Sequence, residues 1–366
     1  MIIKIIKAIF PKRNVASSRC LHIQPYMKLA ILTAILLCAC TGCSSGKGNT
    51  TTPFVPSEGS YLKASNTISF DMSSLSTVRN NPDAQLSVPT YITKIDDTYF
   101  IVDCYHNRVI YNTNLTDPIY KWWVMTEDMK MGHTIASDGN VYLIDDTENN
   151  RILIMEKGVN ENGVPVFYPS QEFTEIGMRP HYIIYDSGTD TFYAWSSLTG
   201  EMYLFRKSAN DNSVYLTEIR SIPELYGYYV RSFTIMDNHI YFVSGNSNII
   251  EADLDTFEII KKYPVPDTYA GMSQITKIQD YYYITVSTDI NMSQDTATIL
   301  RTKSLDGLAT DDYEDIYSEY FVGGGTPYCI TSIDDCFYLC EHRLVDHAIW
   351  QFKVSNNQII DVNSLY

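Results

Sequence analysis

From residue 88 onward, short apolar runs alternate with tight polar turns, and one unit recurs six times. Each unit reads as an apolar strand, a turn of Asp, Asn or Gly, a second apolar strand, a loop and a third strand. The strand-turn-strand stretches cover residues 91–102, 134–144, 182–195, 232–243, 274–285 and 329–340. Tyr, Ile, Val and Phe fill the strands because β-branched and aromatic side chains suit a pleated, half-buried surface. The first apolar residues after the turns are Tyr99, Val141, Phe192, Ile240, Tyr282 and Phe337, spaced 42, 51, 48, 42 and 55 apart. A single small sheet cannot bury both faces, whereas blades set radially bury each face against a neighbour. The pattern therefore predicts an all-β chain, a six-bladed β-propeller of four-stranded antiparallel blades over residues 61–366. Seven blades would need four strands from residues 60–88 as well as the short tail. A strand at Thr67–Met72 and a last one at Gln358–Val362 are the two candidates for completing the final blade, since an open ring would leave edges exposed.

The N-terminal pattern differs. Met27 and Lys28 precede the mostly apolar run Leu29–Ala39, the build of a secretory signal and too short to span a bilayer. Cys40-Thr41-Gly42-Cys43 comes next and resembles the lipobox of bacterial lipoproteins, in which a cysteine after small residues is acylated and becomes the new N-terminus. Cys43 is the expected lipidation site, with Cys40 as the alternative. Residues 1–26 match no part of a signal and are expected to be untranslated or removed, residues 27–42 form the signal peptide, and residues 43–60 read as a flexible spacer. The resemblance implies an exported protein, lipid-anchored on the outer side of a cytoplasmic membrane or in an outer membrane.

The chain carries 27 basic and 43 acidic residues, a net charge of −16; residues 1–42 hold six of the basic ones and no acid, so residues 43–366 are more acidic still. Such a surface repels nucleic acid and anionic lipid, leaving the acyl anchor as the expected contact with a membrane. The chain is expected to be monomeric.

Two repeats carry a further motif: Asp103 followed by Asn107-Arg108, and Asp146 followed by Asn150-Arg151. These resemble NHL repeats. The resemblance implies that the aspartate and arginine hold successive strands together, a structural role. The later repeats lack the motif, with Ser196, Ser244 and Thr285 at or near the aspartate's place.

Propeller ligands usually enter at one mouth of the axial channel, where each blade's innermost strand begins. Counting back from the turns puts Thr90 and Tyr91, Gly132 and His133, His181 and Tyr182, Arg231 and Ser232, Ser273 and Gln274, and Tyr328 and Cys329 around it. No carboxylate stands in this ring, so the calcium chemistry of propeller lactonases is not expected. His133, His181, Arg231, Gln274 and Tyr328 form the candidate ligand site, a polar and cationic set suited to a carboxylate or phosphate. Zinc lyases of NHL type need three axial histidines, and this alignment leaves His342 and the other histidines outside the mouth; no metal or cofactor is expected. Counting outward from the Asp334-Asp335 turn places Cys329 opposite Cys340, a pair that could oxidise outside the cytoplasm. The function read from these residues is a surface-anchored, non-catalytic propeller for a small anionic or peptidic ligand or a partner protein. The alternative is a hydrolase or lyase using the same axial pocket, with zinc if any metal.

Overall fold

The six repeats fold into six antiparallel sheets in chain order, and the computed structural model describes residues 51–70, 78–344 and 346–366. Blade I comprises Pro89–Ile95, Thr98–Asp103, Arg108–Asn112 and Trp123–Thr126. Blade II comprises Ile135–Ser137, Val141–Asp146, Arg151–Val159 and Pro165–Phe173. Blade III is Pro180–Asp186, Thr191–Ser196, Glu201–Lys207 and Val214–Ser221, and blade IV is Val230–Met236, His239–Ser244, Asn248–Asp253 and Ile259–Pro264. Blade V is Gly271–Ile278, Tyr281–Thr288, Thr298–Thr302 and Glu314–Asp315; blade VI is Thr326–Ile333, Cys336–His342, Ile349–Ser355 and Gln358–Ser364. The turn residues take the left-handed conformation that Asp and Asn tolerate, with φ of 52° at Asp96, 51° at Asp237, 63° at Asn238 and 52° at Asp334.

Six apolar clusters make the core, one between each pair of neighbouring blades. Ile183, Phe192 and Phe205 of blade III pack on Val141 and Ile154 of blade II; Ile92 and Ile110 of blade I pack on Tyr338 and Ile349 of blade VI, which closes the circle. The sixth blade is built entirely from consecutive strands, with Gln358–Ser364 as its own outer strand. The N-terminal candidate does not complete the last blade: Asn66–Thr67 pairs with the outer strand of blade II, and Arg79–Asn80 with that of blade I, as short fifth strands. Asp71 and Met72 lie outside the described residues, as do the signal segment, Cys40 and Cys43.

The packed chain also starts before residue 61. Phe54 stacks edge-on against Tyr61 and Tyr215, with centroids 6.4 and 5.8 Å away, and Leu62 bridges to Leu216. The polar composition of this segment hid an aromatic contact that only the folded blade III supplies.

Candidate functional site

The mouth is made by one backbone irregularity repeated around the ring. In blade I the pairing of the two inner strands skips from Pro89 opposite Asp103 to Tyr91 opposite Val102, so Thr90 is bulged out. The same skip extrudes His181, Arg231, Ser273 and Tyr328 from blades III to VI. In blade II the carboxylate of Asp145 replaces the strand partner: it accepts from the backbone N–H of His133 (2.9 Å) and of Thr134 (2.6 Å), which puts His133 at the equivalent place. A bulge re-aims a side chain that regular pleating would send to the sheet face. Of the residues so displaced, His133, His181 and Tyr328 meet one another across blades, whereas the Thr90 hydroxyl bonds the His133 carbonyl and the Ser273 hydroxyl bonds Ser287.

His133 and His181 stack with centroids 3.7 Å apart, and the Tyr328 ring lies near-parallel to His133 at 5.8 Å. His181 Nδ1–H donates to the Arg231 carbonyl (2.8 Å), so its Nε2 accepts from the Tyr229 hydroxyl (2.8 Å). Thr147 donates to Asp145 (2.9 Å), so its oxygen accepts from His133 Nδ1–H (3.0 Å) and leaves His133 Nε2 facing the Cys104 thiol at 3.8 Å. Burial holds both below the usual imidazole range, which makes both rings neutral; Asp145 opposes the shift at His133 while Arg179 and Arg231 add to it, and at His181 the neighbouring His133 and the same guanidiniums add to burial.

Cys104, His133 and Asp145 have the order of a nucleophile, base and orienting acid, but the thiol is 0% exposed and burial, followed by the charges of Asp145 and Asp103, raises its pKa. A thiolate is needed for attack, so this thiol is a packed donor rather than a nucleophile. Among the described residues no three His, Cys, Asp or Glu side chains stand where they could hold one metal ion.

Arg231 is half-buried over the Tyr229 ring (5.3 Å) and gives one Nη1 bond to the Gly271 carbonyl (2.8 Å). Among the described residues no carboxylate pairs with it. The Tyr328 hydroxyl is buried without a hydrogen-bond partner among the described residues, and it lies within the field of Arg231. Arg179, held by Glu148, and Arg343, bonded to the Gln294 carbonyl (3.3 Å) and Thr326 (3.4 Å), extend the positive charge around the mouth.

Of the five predicted ligand residues, His133, His181, Arg231 and Tyr328 converge. Gln274 sits one step deeper, where its amide clamps the backbone of Ile330 in blade VI through bonds of 2.7 and 3.0 Å. It joins two blades rather than facing the mouth. Clefts of about 420 and 390 Å³ lie at the outer edges, on blade VI around Gln351 and beside Tyr168 of blade II.

His342 is the histidine that the alignment left outside. Its strand register sets it opposite Thr326 at the mouth end, and burial with the charges of Arg343 and Arg231 lowers its pKa to about 4. The same outward count that pairs Cys329 with Cys340 would have reached it. Those two cysteines are indeed cross-strand partners, and both are buried free thiols.

Among the described residues, seven large apolar side chains stand exposed on the loops of this face: Tyr105, Met178, Tyr226, Tyr228, Ile290, Met292 and Val322. Leu198 links two of these loops through Leu198 N–H to the Met178 carbonyl (3.3 Å) and Gly227 N–H to the Leu198 carbonyl (3.0 Å).

No protein-family model matches the chain, and no curated protein matches it. Among solved structures it is similar to two proteins described as candidate 6-phosphogluconolactonases. The one from Bacteroides uniformis is 12% identical, with a TM-score of 0.53 over 76% of this chain and 85% of that one. The one from Bacteroides fragilis is 12% identical, with a TM-score of 0.53 over 76% and 84%. A streptogramin B lyase structure is 16% identical, with a TM-score of 0.49 over 79% and 87%. Identities this low establish the propeller fold and leave the chemistry to the site itself.

Proposed function

We propose that this chain is an exported, lipid-anchored binding propeller whose mouth receives the anionic group of a peptide ligand. The observation that carries the reading is Arg231, a half-buried guanidinium, on an acidic protein, whose one side-chain hydrogen bond among the described residues goes to a carbonyl. A buried or half-buried guanidinium is stable when its remaining N–H groups meet an acceptor, and a carboxylate matches its fork. The unpartnered Tyr328 hydroxyl nearby supplies a second donor. Exposed tyrosine and methionine side chains around the mouth favour a polypeptide over a bare anion, because such rims gain contact area from apolar side chains. The likeness to lactonase candidates is one of fold and is not extended to lactone hydrolysis here, since Asp145, the carboxylate beside His133, is fully buried and taken up by the N–H groups of His133 and Thr134, and the Cys104 thiol is buried as well.

The test is binding of peptides with free or amidated C-termini to the chain from Thr51 onward, measured by calorimetry. Free-acid peptides should bind and amidated ones should not. A hydrogen bond to a charged group is worth about 1.5–3 kcal/mol, so Arg231→Gln should weaken binding roughly 10- to 100-fold. Tyr328→Phe should weaken it less while leaving the fold at least as stable. Equal affinity of wild type and Arg231→Gln would overturn the reading.

A further inference from the structure

The packed chain enters the propeller on the face opposite the mouth. Arg206 Nη2 donates to the Thr52 carbonyl (2.9 Å), and Ala209 N–H donates to the Phe54 carbonyl (2.8 Å). Both partners mark the far end of blade III. Ala209 lies in the hairpin between the third and fourth strands, and Arg206 also bonds Asp190 (3.1 Å) in the turn between the first and second. The first strand of that blade runs from Pro180, beside His181 at the mouth, down to Asp186 before this turn.

Nine residues bring the chain from Cys43 to Thr52, all but Lys47 being Ser, Gly, Asn or Thr. Fully extended they reach about 30 Å, and as a flexible coil they average about 17 Å. A seven-residue inner strand alone is about 23 Å tall, before the loops at either end are added. The average tether is shorter than the height it would have to climb to bring the mouth to the lipid.

We propose that the acyl anchor holds the propeller with its far face toward the membrane and presents Arg231 and the apolar rim away from it. This rests on the lipidation reading of Cys43 and deepens the binding reading, because it selects a ligand arriving from the aqueous side over a phospholipid headgroup of the same bilayer. Both are anionic; only the geometry separates them.

Energy transfer to the membrane surface tests the orientation. The full-length lipoprotein carries Cys336→Ser to remove the half-buried thiol, and a single donor dye at Met178→Cys on the mouth rim or at Asp237→Cys in the far turn of blade IV. Vesicles of phosphatidylcholine carry an acceptor on the headgroup. After flotation shows attachment, transfer from position 237 should be at least twice that from position 178. Twenty Gly/Ser residues inserted after Gly48 should erase the difference. Equal or greater transfer from position 178 in floating protein overturns the orientation alone. Failure to float overturns the anchor reading, and the orientation with it.

Discussion

Glu341 shows how one buried group shapes the stability of this protein. It stands where Asp103 stands in blade I, each opposite the proline near the start of its blade. Instead of arginine it receives the Tyr317 hydroxyl and the Trp350 indole N–H, the latter at 2.7 Å. Full burial raises its pKa to about 7, against two hydrogen bonds that act the other way. The folded state therefore holds the proton more tightly than the unfolded chain. Its stabilisation is complete below about pH 4.5 and is lost as pH rises through 7, an effect of about 3 kcal/mol at most. Urea midpoints of Glu341→Gln should vary less between pH 4.5 and 8 than those of the wild type; an unchanged slope would reject this account. The neutral imidazoles of His133, His181 and His342 act with the opposite sign, since their depressed pKa values make the fold lose stability as pH falls below about 6.5.

At the scale of the strand and its loops, the Asp-Asn-Arg motif works as a clamp between blades. Asp103 accepts from Ser87 N–H (2.7 Å) and Asp146 from Lys130 N–H (2.7 Å), fixing the chain that leads into each inner strand. Asn107 and Asn150 accept from Met131 N–H (3.0 Å) and Arg179 N–H (2.8 Å), so each repeat also fixes the entry to the next. Ser196 accepts from Met178 N–H (2.8 Å) and keeps part of this role without the charge. Arg108 is 1% exposed between Asp103 and Asp83, whereas Arg151 is 13% exposed and shares three carboxylates. Removing a buried ion's partner costs about 3–5 kcal/mol. Both Arg108→Ala and Arg151→Ala strand a fully buried aspartate, but Asp146 keeps two bonds from the Asn149 amide. Chemical denaturation should therefore find Arg108→Ala the more destabilising of the two; the reverse order would show that the blade II clamp is the stronger. The motif was legible because its residues lie close together in the chain. The bulges were not, because a skip in pairing depends on both strands at once and leaves no spacing signature.

The whole ring closes through side chains rather than a shared strand. The Tyr366 hydroxyl donates to the carbonyls of Leu115 and Asp117 in blade I, the latter at 3.0 Å, and its ring meets Trp122 edge-on at 6.1 Å. Lys94 of blade I pairs with Asp334 of blade VI at 2.8 Å. This seam joins the two ends of the repeat array, so it should open first. Large-to-small changes at packed aromatic sites cost about 3–5 kcal/mol. Tyr366→Ala should lower stability by roughly 2–3 kcal/mol, the residue being half-buried, and should speed amide exchange in blades I and VI ahead of blades III and IV. Uniform exchange around the ring would mean that closure lies elsewhere.

By itself the sequence determined the six repeats, their four-strand content, the turns and the register that pairs Cys329 with Cys340. These depend on local alternation and turn chemistry, which each repeat states for itself. It also put His133, His181, Arg231 and Tyr328 at one end of the ring. Only the tertiary structure decided that Gln274 is a clamp, that Arg179 belongs near the mouth, and that Arg231 meets no carboxylate among the described residues. Those facts depend on which blades stand beside and across from one another, and contacts between residues some fifty positions apart are set by the closed ring rather than by any segment within it.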